Sequence, residues 1–276
     1  MEINDRAGEF FQQSRLSDYH SDNPQIFDIY FNSYCRNTEV KLSKAVRRYK
    51  QDSETMKTVL RILPEVISTA VAKAEDHFGF SIDAGIHLFV GIYASNAFVD
   101  HRGEIYFAIE QLPADRGMLE IIAVHEIIHS YHYRLLSEAG MKWQKENWDD
   151  GYALMYLEGV ATEFSEQLVP GYPACCYYTY DYDGESWLDF CKSNEAEILR
   201  AFFGDAKEHH VNMTREWFRF SGGARFGQPR LGYYVGKLFV RHLRKSRTER
   251  ETLQLLAYED LRKSFREWLA LRDDLR

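Results

Sequence analysis

A chain of 276 residues with 45% hydrophobic and 28% charged residues can bury a sizeable core, which excludes an intrinsically disordered polymer, and no stretch approaches the ~18 apolar residues of a membrane span. The formal net charge of -8, with basic residues interleaved among acids as at Glu259-Asp260 beside Arg262-Lys263, offers no basic stripe for phosphates and excludes nucleic acid as the expected partner. The opening MEINDRAGEFFQQSRLSDYH has acids where a secretory leader needs a basic start and lacks its apolar stretch, so a cytoplasmic protein is expected.

In chain order, the first 50 residues read as an arm or short helices. Val59, Leu60, Leu63, Ile67, Val71 and Ala74 recur at helical spacing and predict a helix over 53–78, with Pro64 as a kink and Gly79 as a stop. Three β-rich runs follow, IHLFVGIY, NAFVDH and EIYFAIEQL, and predict a small antiparallel sheet. Asp115 is placed to cap a helix reaching about Glu138, with Gly140 just beyond its end. After a polar linker over 142–149, Asp150 is the expected cap of a second helix that runs toward Leu168 and stops before Pro170-Gly171. The Tyr-, Gly- and Asp-dense stretch 172–187 reads as a long ordered loop, and helices are expected over 193–203, 231–244 and 252–271. Cys35, Cys175, Cys176 and Cys191 match no CxxC pattern. Free, mostly buried thiols are expected, with a vicinal Cys175–Cys176 disulfide as the alternative.

The chemistry concentrates at His125-Glu126-Ile127-Ile128-His129. On a helix, residues four apart share a face, so both imidazoles can reach one Zn²⁺ while Glu126 stands beside the open coordination position. Ile121, Ile122, Val124, Ile127, Ile128 and Leu135 surround the trio. Two imidazoles and a carboxylate buried there need satisfaction, which a metal provides. The next helix carries Leu157-Glu158-Gly159-Val160-Ala161-Thr162-Glu163, and Glu158 is the expected third ligand. Glu163, about 140° further around the helix, reads as an acid in solvent or behind a ligand. Gly159 and Ala161 are expected to let this helix approach the first closely. His132 reads as a core or surface histidine, His209 and His210 as solvent-facing residues, and His20, His77, His87, His101 and His242 have no metal spacing.

These words, with a third block Arg230-Leu231-Gly232-Tyr233-Tyr234-Val235-Gly236, resemble the predicted Zn-dependent proteases of the gluzincin clan, which pair HExxH with a later EGxA helix. The likeness spans roughly residues 86 to 240. It implies an α+β, zincin-like metallopeptidase fold: a small N-terminal antiparallel or mixed sheet, the HExxH helix, and a mainly helical C-terminal lobe. It also implies Glu158 as third ligand and brings Tyr233 or Tyr234, the former first, toward the site to donate to an oxyanion; packing of a helix start is the competing reading. Arg230 reads first as half of a surface ion pair and second as a binder of a substrate carboxylate.

The expectation is a single catalytic unit, with an N-terminal lobe over 1–140 and a helical lobe over 141–276, that hydrolyses peptide bonds in a peptide or protein substrate. The catalytic residues are Glu126 and Tyr233 and the metal ligands His125, His129 and Glu158. The strand over 104–110 is expected to hold extended substrate by β-addition, with the 172–182 loop as an aromatic wall or lid. Two alternatives stay open: a zinc-dependent deacylase or deformylase of small substrates, and a non-catalytic zinc-stabilised binding module with His132 as a fourth ligand.

Overall fold

Caps and breakers set several helix ends in the computed structural model, which describes residues 2–13, 16–33, 38–143, 150–208 and 212–272. Cys35, His209, His210 and most of the linker over 142–149 lie outside the described residues. The fold is α+β, mostly helical, with one four-stranded mixed sheet. The chain divides into two compact units, Met1–Ser130 and Tyr131–Arg276.

The first unit holds β1 (Ile3–Asp5), α1 (Ala7–Phe10), α2 (Leu16–Asp22), α3 (Pro24–Ser33), α4 (Glu39–Phe78), β2 (Ile86–Phe89), β3 (Ala97–Val99), β4 (Ile105–Ala108) and the first part of α5 (Arg116–Glu138). Helix α4 is longer than the helix expected over 53–78. It starts where Thr38 Oγ1 accepts the Lys41 N–H, passes through Pro64, and stops at Gly79, whose φ of 74° gives the left-handed C-cap. Its N-terminal extension buries only Ala45 and Tyr49 before Met56, too thin an apolar stripe to register as periodicity.

The sheet order is β1-β2-β4-β3. Only β3 and β4 pair antiparallel, with Phe98 opposite Tyr106; β2 and β4 run parallel, with Ile86 opposite Ile105 and Leu88 opposite Phe107. The purely antiparallel expectation fails because the chain leaving β2 does not turn back on itself. Side chains pin that segment: Tyr19 Oη accepts the Val90 N–H, Tyr30 Oη those of Ile92 and Ala94, and the Glu110 carboxylate those of Gly91 and Tyr93. With its donors filled away from the sheet, the segment crosses to the far side and β3 returns as an edge hairpin. The first 50 residues, expected as an arm or short helices, also supply β1, parallel to β2 with Ile3 opposite Ile86. Ser130 Oγ of α5 donates to the Gly103 carbonyl at the hairpin turn.

The second unit continues α5 and adds α6 (Gly151–Leu168), α7 (Cys176–Thr179), α8 (Glu185–Ser193), α9 (Glu195–Glu208), a π-helical turn (Thr214–Phe218), α10 (Leu231–Leu243), α11 (Glu249–Leu253), α12 (Leu255–Tyr258) and α13 (Leu261–Ala270). Asp150 caps α6 by accepting the Tyr152 and Ala153 N–H groups. The stretch expected as a loop contains α7 and the start of α8. The helix expected over 252–271 is three pieces, since Asp260 takes the Arg262 and Lys263 N–H groups and starts α13 afresh. Helices α6 and α10 cross at Gly159 and Gly236: a Cβ on Gly159 would stand 2.3 Å from the Gly236 carbonyl carbon. Gly159 therefore serves a different neighbour from the one expected, being turned to α10. Cys175, Cys176 and Cys191 are free and buried, so no vicinal disulfide forms. Among the described residues no helix is long and apolar enough to cross a membrane.

Candidate metal centre

Helix α5 begins where Asp115 Oδ1 accepts the Met118 N–H at 2.9 Å. It is apolar on nearly every side: Ile121, Ile122, Val124, Ile127 and Ile128 are all buried. Within this wall His125, Glu126 and His129 are buried as well, and the two imidazole rings stand edge to face with centroids 4.9 Å apart. Glu158, half-buried on α6, joins them: His125, His129 and Glu158 each offer a ligand atom, and these atoms lie within 4.8 Å of one another. Ligands of one tetrahedral zinc stand about 3.4 Å apart, so side-chain adjustments on the order of an ångström bring this donor set onto one ion. Two imidazoles and a carboxylate are also the donor chemistry that suits Zn²⁺.

Among the described residues no second cluster of this kind occurs. His132 is outside it; its Nε2 lies 2.9 Å from the Leu253 carbonyl and the ring packs edge-on against Tyr156. Glu163 is outside it too and is neither in open solvent nor behind a ligand. Arg241 Nε donates to it at 2.7 Å and Arg244 Nη1 at 3.3 Å.

The two tyrosines of the third block part company. Tyr234 donates its hydroxyl to Glu195 and packs against Tyr178 and Trp187. Tyr233 keeps part of its surface open while protein atoms crowd its hydroxyl. Burial, and after it the charge of Glu158, holds this phenol well above its ordinary pKa. Tyr233 is therefore a protonated donor at neutral pH, close enough to Glu158 to feel its charge.

Arg230 contradicts the surface ion pair expected of it. It is 4% exposed, and among the described residues no carboxylate pairs with it. Its guanidinium carbon lies instead over the rings of Tyr233, Phe220 and Tyr180, at 4.0, 4.5 and 4.6 Å from their centroids. Sequence reasoning missed this box; the one available signal was the aromatic density of the 172–182 stretch, which supplies Tyr180. Of the other tyrosines there, Tyr177 and Tyr178 are buried beside Lys237, itself paired with Glu166 at 2.7 Å, while the partly open Tyr172 packs against the exposed Tyr182. The β-addition expected of 104–110 fails. Strand β4 is an inner strand, paired with β2 on one side and β3 on the other, so no backbone edge is left for a peptide.

No protein-family model, no curated protein and no solved structure matches the chain.

Proposed function

We propose that the chain is a zinc-dependent peptidase of zincin type, similar in plan to the gluzincins, with Zn²⁺ held by His125, His129 and Glu158. The observation that carries this reading is the convergence of those three side chains, from two helices, on one small volume. Bound there, Zn²⁺ acts as a Lewis acid toward a substrate carbonyl and acidifies a water.

The rest of the chemistry falls to the chain. Glu126, next in sequence to His125 and buried with it, accepts the proton of the attacking water and returns it to the leaving amine. Tyr233, protonated at neutral pH, donates a hydrogen bond to the oxygen on which negative charge develops. The apolar residues of α5 keep bulk water from these groups and strengthen each interaction. A purely structural zinc gains nothing from a carboxylate beside its ligands, and His132, the fourth ligand such a site would use, stands outside the cluster.

The test is metal content by elemental analysis on wild type, Glu158→Ala and Glu126→Gln, with hydrolysis of a mixed peptide pool followed on the same samples. The expected result is one zinc per wild-type chain, lost with Glu158→Ala. In Glu126→Gln the zinc remains while activity falls roughly 10²–10⁴-fold. A wild type that binds no zinc when it is supplied, or a Glu126→Gln variant as active as wild type, overturns the reading.

A further inference from the structure

The mechanism above leaves Arg230 unused, and its surroundings are those of a residue awaiting a ligand. Its side chain is 4% exposed, and Nε and Nη1 have no hydrogen-bond partner among the described residues. Ring faces of Tyr180, Phe220 and Tyr233 offset part of the cost of burying the charge. The Tyr180 and Tyr233 side chains also hydrogen-bond the guanidinium, yet Nε and Nη1 stay unfilled, and an unfilled donor on a buried cation is the costly case. Arg230 also holds φ 61° and ψ 25° at the N-cap of α10, with no side-chain cap of its own. Glycine or asparagine adopts that left-handed conformation with less strain, so the backbone at this position does not call for arginine.

The location supplies the ligand's chemistry. Arg230 lies against Tyr233, and Tyr233 is near enough to Glu158 to be perturbed by its charge. Through Tyr233 the unfilled donors lie on the Glu158 side of the metal cluster, and a buried cation with free donors calls for an anion. We propose that Arg230 binds a carboxylate of the substrate, either the free C-terminus of a peptide or an acidic side chain, in a pocket walled by Tyr180, Phe220 and Tyr233. This inference rests on the metal-centre reading above for the identity of the bond cleaved, though not for the binding itself. The positive end of α10 adds to the preference for negative charge. Arginine suits the task better than lysine because its planar donors match a carboxylate and its face stacks on the rings.

The experiment compares three N-acetylated tripeptide pools with random side chains: one ending in a free carboxylate, its C-terminally amidated counterpart, and an amidated pool with Glu at the last position. Binding is measured by calorimetry on the zinc-loaded Glu126→Gln protein, and kcat and KM on wild type, each with and without Arg230→Gln. Binding of one of the two carboxylate pools at least about tenfold tighter than the neutral pool, lost with Arg230→Gln and partly recovered with Arg230→Lys, is the expected result. The pool that binds names the source of the carboxylate. In the kinetics the same change appears in KM more than in kcat, since it removes a contact made before the reaction. Zinc content and melting temperature report whether the Arg230 variants fold. Should neither fold, the wild-type preference among the pools decides by itself. Equal treatment of all three pools overturns the inference even if the protein hydrolyses peptides. Carboxylate-dependent binding without hydrolysis supports it while overturning the peptidase reading.

Discussion

Tyr233 and Tyr234 are adjacent, yet they face opposite demands. Tyr234 is committed to Glu195, so Tyr234→Phe removes one hydrogen bond and is expected to cost about 1 kcal/mol of stability with activity and metal content unchanged. Tyr233→Phe is expected to lower kcat about 10²-fold with zinc content and KM close to wild type. Steady-state kinetics on the two variants check this, and an activity loss confined to Tyr234→Phe would remove Tyr233 from the mechanism. Glu110 gives a pH test away from the metal. It is 6% exposed, and burial pushes its carboxyl up to about 7 against the opposing N–H bonds from Tyr93 and Gly91. Because the folded pKa lies above the unfolded value, the folded state binds more protons across that window. The resulting stability is fully present below about pH 4.5 and is lost as pH rises through 7. Denaturant titrations of wild type and Glu110→Gln between pH 4.5 and 7.5 are expected to diverge by at most about 3 kcal/mol, wild type declining relative to the variant. Parallel curves would mean that Glu110 is ionised throughout.

At the scale of elements, the crossing of α6 and α10 decides whether Glu158 is delivered to its position. A Cβ on Gly236 would sit 2.1 Å from the Met155 carbonyl oxygen, so Gly236→Ala must push the helices apart. The expected cost is about 1–3 kcal/mol, with weaker zinc binding because α6 carries Glu158. Gly204→Ala in α9 is the control: a Cβ there meets nothing within 4 Å, and the helix is expected to gain up to about 1 kcal/mol. Thermal melts and zinc titrations of both variants measure the difference. The same elements show what a linear reading can hold. The caps at Asp115 and Asp150 and the stop at Gly79 act on neighbours a few residues away, so the helices they bound were legible. The parallel pairing of β2 with β4 was not, because it depends on Tyr19, Tyr30 and Glu110 holding a distant segment out of register for a hairpin.

For the whole molecule, metal and fold are linked if zinc binds only the folded chain. Removing it with a chelator is then expected to lower the melting temperature and resupplying it to restore it. The shift grows with free zinc and corresponds to about 4 kcal/mol at a thousandfold excess over Kd. Melts across a zinc series measure this, and a melting temperature indifferent to zinc would dissociate the cluster from folding. The sequence by itself determined the His125/His129 pair, the Glu126 beside it, the caps around them and the candidacy of Glu158, since helical spacing and capping are local rules. Tertiary structure decided the rest. It set Glu158 against the imidazoles while Glu163 went to Arg241 and Arg244, and it turned Gly159 toward Gly236. It also closed three rings around Arg230. Apart from Phe220 and Tyr233, near neighbours of Arg230 in sequence, those outcomes join residues tens of positions apart, and burial and charge pairing at such separations are fixed only when the chain packs.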